Sequence, residues 1–164
     1  MDINKDSLQG IQGLLILKIN DKEYCSDIKN VSVVLKPDEE TLHRYSPKEG
    51  ILFYRNENFK ILDISGILKT GSMRISRGSK IILFETFGSH FGFIADEILE
   101  IITLDSLFIE NSIDFVAYTD DGYISGELRM HDRKIYFFNF EKFSRSLAAL
   151  KILNDSAFTE KVLE

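Results

Sequence analysis

The sequence predicts a mainly β protein made of two small five-stranded barrels packed together, with an α-helix near the C-terminus. Three observations favour this fold class. Short apolar runs rich in Ile, Val, Phe and Tyr are separated by Gly, Asn, Asp and Ser, as in proteins with many short strands. A strand–turn–strand unit occurs twice. The stretch 141–154 carries apolar residues at spacings of three and four, which indicates a helix.

The predicted strands follow the apolar runs in chain order. These runs cover residues 14–19, 31–35, 50–54, 59–64, 81–87, 91–95, 98–103, 115–118, 123–128 and 134–140. Polar residues and glycines between them predict hairpin turns at 21–22, 56–58, 88–90 and 131–133. Shorter helical turns are expected at 63–69 and 103–107.

An internal repeat sets the predicted organisation. Residues 50–64 align without a gap on residues 126–140, and both copies read glycine, strand, polar turn, strand. A matching hairpin lies upstream of each copy, so that barrel repeats are predicted to begin near residues 14 and 80. One half alone has only a thin core, and we therefore expect both halves to share an apolar layer and to unfold together. Segments 1–13 and 155–164 flank this unit.

Composition limits the function classes. The 164 residues carry a formal charge of −6, which argues against nucleic acid and against an anionic membrane surface as the main partner. Cys25 is the single cysteine, so that an internal disulfide and a thiolate zinc cluster are excluded. No apolar run approaches the roughly 20 residues that span a bilayer, and residues 1–6, MDINKD, contain no apolar signal core. We expect a cytoplasmic protein.

Catalytic and metal-binding patterns are scarce. His43, His90 and His131 lie in or near predicted turns, without a second histidine at metal-ligand spacing. Cys25 follows Tyr24 in a predicted strand, where it is expected to pack as a small hydrophobe. These residues predict a protein that is not an enzyme and has no metal or cofactor. A small β-barrel enzyme or ligand-binding protein that uses the histidines stays open as an alternative.

Four blocks of the sequence resemble the CheW-like domain family, the scaffold that couples chemoreceptors to the histidine kinase CheA. Residues 50–64, GILFYRNENFKILDI, are similar to the family pattern G-V-x-N-L-R-G-x-x-I-P-V-x-D-L, with Gly50, Arg55 and Asp63 in register. The blocks at 14–28, 80–101 and 123–143 match in order and spacing. The resemblance extends over about residues 14–145.

The resemblance implies two SH3-like five-stranded barrels and a non-catalytic adaptor. The implied partners are the regulatory domain of CheA and the cytoplasmic tip of methyl-accepting chemoreceptors. In the family, a groove at the junction of the barrels takes the receptor tip, and a barrel face pairs with CheA. Carried over by position, Arg55 is the expected polar anchor, with Val31, Val33 and Phe53 beside it. The resemblance also implies a cytoplasmic protein associated with membrane-anchored receptor arrays.

The chain departs from the family pattern at the expected contact residues. Phe53 stands in place of the usual asparagine, Asn56 in place of glycine, and Val33 in place of a common glutamate. A CheW-like module for a different two-component pathway is therefore the alternative within the same class.

Overall fold

The computed structural model describes residues 11–68, 75–86, 88–103, 113–119 and 122–146. In this part of the chain the strands are β1 Gly13–Ile19, β2 Lys22–Asp27, β3 Val31–Leu35, β4 Tyr45–Ser46, β5 Ile51–Tyr54, β6 Glu57–Leu62, β7 Lys80–Thr86, β8 Ser89–Ala95, β9 Glu97–Thr103, β10 Ile113–Ala117, β11 Ile124–Met130 and β12 Arg133–Phe138. The helices are α1 Glu39–His43, α2 Ile64–Leu68 and α3 140–146. A 3-10 turn, Ile28–Asn30, joins β2 to β3.

The strands form two six-stranded sheets with the same topology. Sheet A has the order β10-β11-β12-β2-β1-β9, and sheet B, taken from its opposite edge, has the order β4-β5-β6-β8-β7-β3. In both sheets a parallel pair, β12–β2 or β6–β8, joins two antiparallel hairpins. The predicted mainly β class with two packed subdomains and a C-terminal helix is confirmed. Each sheet has six strands rather than five.

The sheets do not follow the two halves of the sequence, and on this point the sequence interpretation is wrong. Strand β2 from the first repeat pairs with β12 from the second, while β6 from the first pairs with β8 from the second. Sheet B is continuous in the chain from 31 to 95, whereas sheet A combines 13–27 with 97–138. The repeat units of the sequence start with β1 and β7, but each closes its sheet with a hairpin of the other.

The described residues form three apolar clusters. Cluster A lies within sheet A and contains Leu14, Ile16, Cys25, Phe115, Leu128, Met130 and Ile135. Cluster B lies within sheet B and contains Leu52, Phe59, Ile61, Ile81, Leu83 and Ile94. Tyr45 of the edge strand β4 and Val33 of the opposite edge strand β3 both pack on cluster B, which means that sheet B curls around its core.

The third cluster, the shared cluster, lies between the sheets. Its members are Leu15, Leu17, Ile19, Tyr24, Ile64, Ile82, Phe84, Phe91, Phe93, Ala95, Phe138, Phe140 and Phe143. Phe84 of sheet B stacks on Phe140 at the start of α3, with ring centroids 4.2 Å apart, and on Phe93 at 5.2 Å. Side chains along β1 alternate between the shared cluster and cluster A, so that Leu14, Leu15, Ile16 and Leu17 are all buried. The expected shared apolar layer is present.

The helices agree with the sequence in part. Helix α2 lies within the helical turn predicted at 63–69, and α3 begins next to the predicted start at Glu141. The remainder of the predicted helix, 147–154, and residues 104–107 of the predicted turn lie outside the described residues. Helix α1 was not predicted, although Asp38 caps it by accepting a hydrogen bond from the Thr41 amide at 2.8 Å.

Two hairpin turns, those after β1 and β5, begin one residue earlier than predicted, whereas the turn after β11 begins where predicted. The turns after β1 and β5 consist of Asn20-Asp21 and Arg55-Asn56, and all four residues have positive φ. Two-residue turns of this type match the twist of the flanking strands but require left-handed backbone at both positions. The third, after β11, begins at His131, which has φ 54°.

We expect Phe84→Ala to lower the free energy of unfolding by about 3–5 kcal/mol, because Phe84 is fully buried between the sheets. The loss should appear as a shift of one cooperative transition in chemical denaturation, since both sheets share this cluster. Phe53→Ala is the matched control, because the Phe53 side chain is 48% exposed. Two separate transitions, or equal losses in both variants, would contradict the shared core.

Candidate partner-binding site

Phe53 and Arg55 lie together at the tip of the β5–β6 hairpin. Phe53 is a half-exposed aromatic residue on β5. Arg55 is exposed, has φ 49°, and places its guanidinium carbon 5.1 Å from the ring centroid of Tyr54. A non-glycine residue in left-handed backbone is uncommon and costs about 1–2 kcal/mol. The hairpin tip therefore presents an aromatic ring and a cation on a strained backbone.

Val31 and Val33 lie on β3, and their side chains point in different directions. Val31 pairs with Phe84 and packs on the shared cluster, whereas Val33 pairs with Leu83 and packs on cluster B. In a regular strand, residues two apart point to the same face. A β-bulge at Ser32 shifts the register between Val31 and Val33, so that these two side chains point to opposite faces. The bulge instead places Val34 opposite Ile82, on the same face as Val31. Val34 is 39% exposed.

The edge strand β9 of sheet A repeats this arrangement. Ile98 pairs with Leu17 and Ile101 pairs with Leu15, while a bulge at Leu99 lies between them. Both partners on β1 belong to the shared cluster, so that Ile98 and Ile101 lie on the face directed at the junction of the sheets. Ile98 is partly buried against the cluster, and Ile101 is 64% exposed.

These residues border the shared cluster from both sheets, and we define them together as the aliphatic surface: Ile28, Val31, Val34, Ile98 and Ile101. Ile28, Val31 and Ile98 all pack against the shared cluster, and Val34 and Ile101 extend beyond them into solvent. Ile28 lies over β1 at Gly13, where a Cβ atom would come within 2.9 Å of Ile28 Cδ1. Gly13 therefore leaves room for Ile28. The surface combines one edge strand of each sheet.

The structure brings the predicted site residues to two places. Val31 belongs to the aliphatic surface, and Phe53 and Arg55 belong to the hairpin tip. In the order of sheet B, three strands lie between β3, which carries Val31, and β5, which carries Phe53. Val33 contributes to cluster B and to neither exposed surface.

Sequence reasoning missed Ile28, Val34, Ile98 and Ile101. The signal was present in β9, where four aliphatic residues fall on both phases of one strand. An edge strand with one solvated side should alternate apolar and polar residues. The additional aliphatic residues indicate an exposed apolar surface. The sequence does not show the bulge at Leu99, which decides to which face of β9 each of them points.

A charged cluster covers another part of sheet A. Glu127 is 4% exposed, its Oε1 accepts a hydrogen bond from Arg129 Nη2 at 2.6 Å, and Lys134 Nζ lies 3.1 Å from its Oε2. Burial raises the pKa of Glu127, but the contacts from Arg129 and Lys134 together outweigh it, so that the pKa lies below its usual value. A carboxylate held ionised between two cations stabilises the sheet and is unsuited to proton transfer near neutral pH.

The histidines do not converge on a metal-binding geometry. His90 Nε2 lies 3.2 Å from Glu85 Oε1 and 3.9 Å from Glu57 Oε2, while His43 ends α1 and His131 lies in a turn. Among the described residues, no group of three or more His, Cys, Asp or Glu side chains could hold a metal ion. Nothing in this part of the chain favours the metal-binding alternative.

Cys25 is buried in cluster A at 1% exposure. Burial raises the pKa of its thiol, which opposes formation of a nucleophilic thiolate.

Within the described ranges, no helix has the length and apolar character needed to cross a membrane. Two sheets of matching topology, with exposed aliphatic residues beside the cluster that they share, define the class of fold.

The chain belongs to the CheW-like domain family, because the family model matches residues 13–148. Among solved structures it is similar to the scaffolding protein TtCheW from Thermoanaerobacter tengcongensis. The two share 26% sequence identity and a TM-score of 0.57, over 77% of this chain and 88% of that chain. Comparison with curated protein sequences gives no match. The resemblance of residues 14–145 to this family is thereby confirmed.

We expect Glu127→Gln to flatten the acid limb of the stability curve. Because the folded pKa of Glu127 is lowered, its contribution is fully present above the pKa of an unfolded glutamate, about 4.3. It is lost as pH falls through the lower folded pKa. Urea denaturation between pH 7 and pH 3 measures the slope, with Glu97→Gln as the control at an exposed position of the same sheet. Identical slopes in wild type and Glu127→Gln would contradict the assignment.

Proposed function

We propose that this chain is a non-catalytic adaptor that couples methyl-accepting chemoreceptors to the histidine kinase CheA. The single observation that carries the proposal is the aliphatic surface at the junction of the two sheets, in a member of the CheW-like family. The proposed location is the cytoplasm, at arrays of membrane-anchored receptors.

The aliphatic surface suits the cytoplasmic tip of a receptor, which is a helical hairpin in this family. A helix presents apolar residues at positions i, i+3 and i+4 as one stripe, and such a stripe packs on aliphatic side chains. Val34 and Ile101 supply exposed contacts from the two sheets, and Val31 and Ile98 support them from below. Such a surface gives moderate affinity, which an array raises by multivalency.

The hairpin tip is the proposed contact for the CheA regulatory domain. Arg55 can donate two parallel hydrogen bonds to a carboxylate, and Phe53 adds exposed apolar area on the same hairpin. Aromatic and arginine side chains dominate many protein interfaces.

The exposed Phe53 also favours a second candidate, a CheW-like scaffold in a different two-component pathway. An aromatic ring in place of the family's asparagine suits an apolar partner surface better than a polar one. A pull-down from the native cytoplasm distinguishes the two proposals. Recovery of CheA and chemoreceptors supports chemotaxis, and recovery of another histidine kinase without them supports the second pathway.

We expect Ile101→Asp and Val34→Asp each to weaken binding to a receptor-tip hairpin by roughly 1–3 kcal/mol, because each places a charge on the apolar contact. Isothermal titration calorimetry with a purified receptor-tip fragment measures the effect. Ile75→Asp is the matched control, since Ile75 is 43% exposed and lies outside the aliphatic surface. Equal affinity of Ile101→Asp and wild type would remove the aliphatic surface as the receptor site.

We expect Arg55→Gly to keep or raise stability while it weakens binding to the CheA regulatory domain. Glycine relieves the left-handed backbone at φ 49°, and the net gain should not exceed about 1 kcal/mol. Loss of the guanidinium should cost roughly 1–3 kcal/mol in binding. Asn56→Gly, at φ 64° in the same turn, is the control that keeps the cation. If both variants bind CheA like wild type, Arg55 has no role in binding and is only a residue of its hairpin turn.

A further inference from the structure

Arg133 links three strands of sheet A through two carboxylates. Its Nη2 and Nε bond Glu23 Oε1 of β2 at 2.7 and 3.1 Å, and its Nη1 bonds Glu100 Oε1 of β9 at 2.6 Å. All three side chains are partly buried, with the arginine side chain 33% exposed. The hydrogen bonds to Glu23 and then to Glu100 raise the pKa of Arg133. The guanidinium therefore uses both of its edges.

The bond from Arg133 to Glu100 crosses the concave side of the curled sheet. In the order β12-β2-β1-β9, two strands separate Arg133 from Glu100. Glu100 pairs with Ile16, and Glu23 pairs with Ile135, so that both carboxylates lie on the face that carries cluster A. A contact of 2.6 Å between strands that far apart is possible only because the sheet curls.

This bond holds an edge strand that carries part of the aliphatic surface. Among the described strands, β9 pairs only with β1. Glu100 directly precedes Ile101, and the two side chains point to opposite faces of β9. Because Arg133 fixes Glu100 on the inner face, it limits rotation of the strand and holds Ile101 on the outer face.

We propose that Arg133 is a positioning residue for partner recognition, acting through Glu100 to hold Ile98 and Ile101 in the aliphatic surface. The inference rests on the proposed function, because it takes that surface as the receptor site. Arg133 itself lies on the opposite face of sheet A and does not touch the partner. Glu23 anchors the same guanidinium to β2, which contributes nothing to the aliphatic surface.

The two carboxylates offer a matched pair of variants. Glu100→Gln and Glu23→Gln each remove one charge and weaken one of the two ion pairs of Arg133. Only Glu100→Gln weakens the ion pair that holds β9. We expect Glu100→Gln to weaken binding of a receptor-tip hairpin about 2- to 30-fold, the range seen for coupling through intermediate residues. Glu23→Gln should change it by less than about twofold. Arg133→Gln should behave like Glu100→Gln, and Arg133→Lys should recover part of the affinity.

Hydrogen exchange in the free protein gives an independent readout. The amides of residues 97–103 should exchange faster in Glu100→Gln than in Glu23→Gln at equal loss of melting temperature, because local opening of β9 precedes global unfolding. Equal exchange of these amides in the two variants would overturn the positioning role. Faster exchange together with weaker binding supports it.

Ile101→Asp separates the two levels of the proposal. If Ile101→Asp weakens binding and Glu100→Gln leaves it unchanged, the positioning role is overturned and the receptor site stands. If Ile101→Asp binds like wild type, the proposed receptor site fails and the inference fails with it. If Glu23→Gln and Glu100→Gln weaken binding equally, Arg133 acts through general stability and the inference is overturned.

Discussion

The shared cluster between the two sheets is the constraint on which the rest of the structure depends. Some strands contact the shared cluster on one face and cluster A or cluster B on the other. Because side chains alternate across a strand, such strands must be apolar at successive positions. Strands β1 and β7 meet this requirement, with Leu15 and Ile82 facing the shared cluster and Leu14 and Ile81 facing the inner ones. These strands open the two repeats, and their hairpins are exchanged between the sheets. Each sheet therefore contains strands of both repeats, so that one repeat alone cannot complete either.

The candidate site follows from how the edge strands meet that cluster. A regular edge strand would turn every second residue toward the junction of the sheets. The bulges at Ser32 and Leu99 instead place residues three apart on this side, Val31 with Val34 and Ile98 with Ile101. In each pair the first residue packs on the shared cluster, and the second is exposed. The same local irregularity in both sheets thus extends a buried core into the exposed aliphatic surface.

The strands, the repeat and the two-sheet class could be predicted from the sequence, because apolar periodicity and turn residues act over a few neighbouring positions. The exchange of hairpins could not, because the strands that end at Asp27 and Ala95 carry no local signal for their parallel partners. Helix α1 was missed because only five residues follow its cap. Arg55 and Phe53 are candidate site residues by their position in a motif, and their role stays a prediction. The face to which Ile101 points depends on a bulge, which the alternation of apolar and polar residues does not reveal.

A surface built from one edge strand of each sheet has a thermodynamic consequence. A partner that covers Val34 and Ile101 contacts both sheets, and the sheets keep their relative position only while the shared cluster is intact. Such a partner binds the folded chain and not the unfolded one, so that binding and stability are linked. The linkage runs in both directions, because a substitution that loosens the cluster reduces the population able to bind. For such a partner, a substitution of a core residue such as Phe84 reduces binding although the residue does not touch the partner. It also lowers global stability, and a substitution of an exposed edge-strand residue does not.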